Sequence, residues 1–184
     1  MGVELGVVDP NPNGIGSGGT VEITAGGGIA GHGSGGASGG VSRGSIEWIQ
    51  ARLVECLAHL KCAGEVRVRL VGDEEMSHAH HRHCGVTGTT DVITFDLAEG
   101  AAAKTRELDV DILVCVDEAR RQAGQSKGSV DRELLLYALH GVLHCLGHDD
   151  HDDDAYEKMH RAEDEVLQAI GVGAVFRKPN DPNE

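Results

Sequence analysis

Two histidines four residues apart, His140 and His144, close an apolar run containing Leu134, Leu135, Leu136, Ala138 and Leu139, and a glycine follows at 147. A proline-free run of this kind is a helix. Positions i and i+4 of a helix lie roughly 6 Å apart along its axis on one side, so both imidazoles reach one metal ion from neighbouring turns. A ligand further up the same helix is out of range, because His148 would stand roughly 12 Å from the level of His140. Gly147 accepts the left-handed conformation that ends helices, so the chain beyond it folds back and offers Asp149, Asp150, His151 or, less readily, His148 to the same ion. Pair, glycine and further donors together read as a metal site.

In zinc peptidases built on His-Glu-x-x-His, the glutamate beside the first histidine acts as general base. Here that position is Gly141. A hydrolase working from this site takes its nucleophile from metal-bound water, whose pKa zinc brings to roughly 7, without help from the adjacent side chain.

The remaining periodicities place that helix in an α+β core. Ser45 caps a helix marked by Ile46, Ile49, Leu53, Cys56, Leu57 and Leu60 at helical spacing, which ends by Gly64. Val66, Val68 and Leu70 then alternate with Arg67 and Arg69 as a half-buried strand. Asp73 to His83 reads as a short helix and loop, Asp91 to Asp96 and Val110 to Val116 as strands, and Ala98 to Arg106 as an exposed connection. Helices follow at Asp117 to Ala123, Val130 to Leu146 and Asp153 to Ile170. The central helix, with its histidine pair, packs against a small mixed sheet.

The 184 residues suffice for one domain. Of the 27 glycines, 16 fall in the first 44 residues, where apolar periodicity is weak, so residues 1–44 are expected to form a largely disordered extension. Val21 to Ile23 is at most a short strand. Gly14 to Gly19 and Gly31 to Gly36 both fit Gly-x-Gly-x-x-Gly, but neither joins a strand to a helix, so no phosphate-binding role follows. The domain is then residues 45–172, with a polar tail at 173–184. No apolar stretch approaches a membrane span and no secretory start is present, which leaves no membrane partner. The five cysteines are odd in number and lack C-x-x-C spacing, which suits a reducing cytoplasm; Cys145 reads as a small core residue.

A net charge of −14 opposes a phosphate backbone. Many carboxylates fall between Asp149 and Glu165, which leaves Arg52, Lys61, Arg67, Arg69 and Arg82 as a candidate basic surface, each also explicable as a solvated charge. His78, His80, His81 and His83 read as a loop or phosphate-facing rim rather than a second zinc site, since their spacing is irregular.

The run His140-Gly-Val-Leu-His144-Cys-Leu-Gly147-His-Asp149 resembles the signature of the YbeY family of bacterial metal-dependent endoribonucleases. Thr90-Asp-Val-Ile-Thr-Phe95 and Asp111-Ile-Leu-Val114 are similar to two of its strands, and Asp152 to Leu167 to its closing helix. The resemblance spans roughly residues 45–171. It implies one zinc ion, cleavage of single-stranded rRNA precursors, and the ribosomal small subunit, not DNA, as partner. The family's third metal histidine falls on Asp150, a carboxylate that zinc accepts, with His151 one place later as the alternative. The family arginine important to activity falls near Arg82, displaced by two positions when Gly85 is aligned. Asp96 and Val110 also stand where the family has proline and glycine.

Overall fold

Alternation along Val66, Val68 and Leu70 does what it predicts: all three are buried on one face of a strand while Arg67 and Arg69 emerge on the other. The computed structural model describes residues 18–26 and 40–174. These form β1 (Gly19–Ala25), α1 (Arg43–Leu60), β2 (Ala63–Val71), α2 (Asp73–Cys84), β3 (Val92–Asp96), α3 (Ala102–Thr105), β4 (Glu107–Cys115), α4 (Val116–Ser126), α5 (Val130–Cys145) and α6 (Asp153–Ala169). One mixed sheet runs in the order β1-β2-β4-β3, parallel across the first three strands and antiparallel between β4 and β3. The fold is α+β.

Most of the apolar area meets on one side of the sheet. Ile23, Val68, Leu70, Val110 and Ile112 face Ile49, Leu53 and Leu57 of α1, Leu135, Leu139 and Leu143 of α5, and Met159 and Leu167 of α6. The opposite face is covered only in part, where Met76 of α2 packs on Val71, Ile93 and Cys115. Its open part is ionic, with Arg67 paired to Glu65 of its own strand and to Asp109 and Asp111 of β4. Among the described residues no helix is long and apolar enough to cross a membrane.

The expected disordered extension contains a core strand. β1 pairs with β2 from Gly19 opposite Gly64 to Ala25 opposite Leu70, and Val21 and Ile23 are buried. The buried Gln50 side chain of α1 donates to the Val21 carbonyl at 2.7 Å, which ties the edge strand to the helix beneath it. Three inward residues, Val21, Ile23 and Ala25, supply the period of two; the surrounding glycines mask it in any count over a longer window. Two boundaries also move. Ser42, not Ser45, caps α1, its Oγ accepting from the Ser45 amide, and Val41 is already in the core. The connection before β4 is not wholly exposed, since α3 buries Ala102. Residues 1–17, 27–39 and 175–184 lie outside the described residues, and with them most of the two glycine motifs and of the polar tail.

Candidate metal centre

α5 brings its histidines to the surface by lying close to the sheet. A Cβ on Gly141 would fall 2.5 Å from Thr94 Oγ1 and 3.2 Å from Ile112 Cδ1, so no side chain, glutamate included, fits beside His140 on that face. Gly141→Ala is expected to push the helix off β3 and β4. The overpacking should cost about 1–3 kcal/mol, less up to about 1 kcal/mol of regained helix propensity, read as a lower urea midpoint at unchanged slope. An unchanged midpoint would show that the close approach carries no constraint.

The helix then stops as Gly147 predicts. Gly147 adopts φ +92°, its amide donates to His144 O, and the His148 amide donates to Leu143 O, a paired closure of the last carbonyls. That reversal returns Asp150 to the level of the histidines. Asp150 Oδ2 lies 3.5 Å from His140 Nε2 and Oδ1 lies 3.8 Å from His144 Nε2. One donor atom from each of these three residues falls within 4.8 Å of the others.

The ring orientations explain why this set suits a cation. His140 Nδ1 is 2.6 Å from Glu163 Oε1 and His144 Nδ1 is 3.1 Å from the His148 carbonyl, so each Nδ1 faces an acceptor and carries the hydrogen. The two Nε2 atoms lie 2.9 Å apart. With both Nδ1 atoms committed, the two Nε2 atoms converge on one point that a shared cation can occupy. Two nitrogens and a carboxylate with one side open to solvent make up the donor set of a catalytic zinc site.

Glu163, on α6, is the group that the sequence hides among the many carboxylates between Asp149 and Glu165. Its side chain is 0% exposed, and both carboxylate oxygens are taken, Oε1 by His140 and Oε2 by His160 Nδ1 at 2.5 Å. A legible signal was present: Met159, Glu163, Val166 and Leu167 share the buried stripe of α6. Burial alone would raise Glu163, but the hydrogen bonds and charges of the two histidines hold its carboxyl below the usual range. Burial likewise works to lower His140, yet the Glu163 hydrogen bond and charge outweigh it and raise the imidazole. A carboxylate behind a metal-facing histidine fixes its tautomer and raises its basicity.

The other sequence candidates are placed apart from this set. His151 is 84% exposed and pairs with Asp149, its nearest approach to Asp150 being 3.9 Å. Arg82 is exposed in the last turn of α2, a helix packed on the face of the sheet opposite α5, and no hydrogen bond or ion pair among the described residues joins it to His140, His144 or Asp150. The two groups of converging donors among the described residues are His140, His144, Asp150 and Asp149, Asp150, His151; the histidines of α2 belong to neither. The basic surface is largely neutralised, since Arg52 pairs with Glu55, Arg67 with three carboxylates and Arg69 with Glu75. All five cysteines are free, and Cys145 is buried.

A mixed α+β domain with two helix histidines and a returning carboxylate defines a candidate metal-site protein. The family model for endoribonuclease YbeY matches residues 41–171, and the chain belongs to that family. Endoribonuclease YbeY of Desulfitobacterium hafniense (strain Y51) is 34% identical over 139 residues, covering 71% of this chain and 88% of the relative. Its namesake in Thermobifida fusca (strain YX) is 35% identical over 108 residues, 56% of this chain and 70% of the relative. The solution structure of TM1509 from Thermotoga maritima aligns with a TM-score of 0.50 over 89% of this chain and 99% of that one, at 23% identity, a likeness of fold.

Proposed function

We propose that this protein is a zinc-dependent endoribonuclease that cuts single-stranded rRNA precursors in the cytoplasm during maturation of the small ribosomal subunit. The observation that carries the metal part of this reading is the 2.9 Å approach of His140 Nε2 and His144 Nε2 with both Nδ1 atoms already committed to acceptors. Asp150 completes the set in preference to His151, whose ring turns outward to Asp149. His140, His144 and Asp150 would hold the zinc, which when bound would supply an activated water and Lewis-acid polarisation of a phosphoryl oxygen. The chain's own residues do the rest. Glu163 fixes the His140 ring through Nδ1, and the His148 carbonyl fixes His144. Family membership supplies the RNA substrate.

The test pairs metal analysis with cleavage. Purified wild type should carry one zinc per chain and cut a single-stranded precursor rRNA fragment, and chelation should stop the cut. Cleavage surviving in chelated protein would place the activity elsewhere. Binding of RNA without cleavage by the metal-loaded protein would make the chain an assembly module instead.

A further inference from the structure

Beside the metal centre lies a cleft of about 560 Å³, within the range of small-molecule sites. It is formed where the loop before β3 (Thr89, Thr90, Asp91), α4, α5 and the start of α6 meet. On α5 its residues Glu133, Leu136 and Tyr137 precede His140 and His144 at spacings of three and four, so cleft and histidines share one helix face. His160, which also lines it, is joined to His140 through Glu163. Glu133 stands about 10 Å along the axis from His140, the reach from a phosphate to the far edge of its own base.

The lining is wrong for a phosphate. Its charged carriers are Asp91, Glu118 and Glu133, and no lysine or arginine is among its residues. Two of these carboxylates stand ready to accept. Asp91 Oδ1 takes the Thr90 hydroxyl and the Val92 amide, both at 2.9 Å, which holds the group rigidly while Oδ2 has no hydrogen bond among the described residues. Glu133 is only 7% exposed, and among the described residues its one side-chain hydrogen bond is a long 3.5 Å contact from Ser126. Burial pushes its carboxyl up, as expected of an acceptor short of donors. Tyr156, 44% exposed and edge-on to His160 at 4.2 Å, adds an aromatic surface of the kind on which bases stack.

We infer that this cleft is a nucleobase subsite that selects, through Asp91 and Glu133, the base beside the scissile phosphate by its N–H donors, with guanine the best fit. Guanine presents N1–H and the N2 amino group side by side, one donor for the open Asp91 Oδ2 and one for Glu133; uracil offers one N–H between two carbonyls that the acidic lining repels. The subsite rests on the endoribonuclease reading only for the phosphate next door. Base binding itself does not need it.

The test is therefore run in two arms on the full chain. In the first, guanosine, inosine and uridine are titrated by NMR into wild type and His144→Ala. Guanosine should bind about fivefold or more tightly than either competitor in both proteins, the discrimination expected of one paired set of donors. Asp91→Asn and Glu133→Gln keep size and one acceptor oxygen but place a donor where the second oxygen was, and each should erase the preference. Tyr156→Ala should weaken all three nucleosides alike. In the second arm, oligoribonucleotides differing in a single base are cleaved, and cuts beside guanine should exceed those beside uracil about tenfold. Equal affinities for the three nucleosides, or a guanosine preference that both carboxyl variants retain, overturns the subsite. No cleavage with the nucleoside preference intact supports the subsite and removes the nuclease reading alone.

Discussion

Removing residues 1–26 should cost the protein most of its stability, despite the glycine content of that segment. Val21 and Ile23 are buried on β1, and burying such side chains contributes roughly 1.5–3 kcal/mol each. The deletion also strips β2 of its neighbour along the whole register from Gly64 to Leu70 and leaves Gln50 without the Val21 carbonyl. A loss of about 3–6 kcal/mol from the two side chains alone rivals the roughly 5–15 kcal/mol by which a domain is folded at all. Ile23→Ala isolates the packing share and should cost about 2–5 kcal/mol in denaturant unfolding. A truncated chain that melts with the same midpoint and cooperativity as the full one would show that β1 is dispensable.

That strand marks where the sequence becomes hard to read. Long elements announce themselves: α5 through its continuous leucines, β2 through the alternation of valines with arginines, and the end of α5 through Gly147. β1 offers three inward residues, and its case is made by β2, more than forty positions away, whose open edge it covers. Pairing of that range leaves almost no local trace. Charge is misleading for the same reason. Arg67 looks like part of an RNA-facing surface until Asp109 and Asp111 arrive beside it on β4, and Glu163 is one of many carboxylates on its segment until the fold buries it between two histidines. In the site, spacing gave His140 and His144 and the turn that returns Asp150, whereas the group that orients His140 belongs to another helix and becomes visible only when α6 packs against α5.

Glu163→Gln tests whether that orientation matters to metal binding, beside His144→Ala as the loss of a ligand. His144→Ala leaves one imidazole and one carboxylate, so zinc should no longer copurify at one per chain and RNA cleavage should fall to background. Glu163→Gln keeps every ligand. Gln offers one acceptor oxygen and one amide donor where the carboxylate served two imidazole N–H groups, so His140 or His160 loses its acceptor. Leaving a buried donor unpaired should lower stability by about 1–3 kcal/mol, and the loosened ring should weaken zinc about 10–100-fold while the stoichiometry at saturating metal stays at one. Competition with a chromophoric chelator separates the two effects, because a purely structural glutamate would lower the melting temperature and leave the affinity of the folded protein untouched. Zinc affinity equal to wild type in a folded Glu163→Gln protein would therefore show that Glu163 stabilises the α5 and α6 contact without tuning the site.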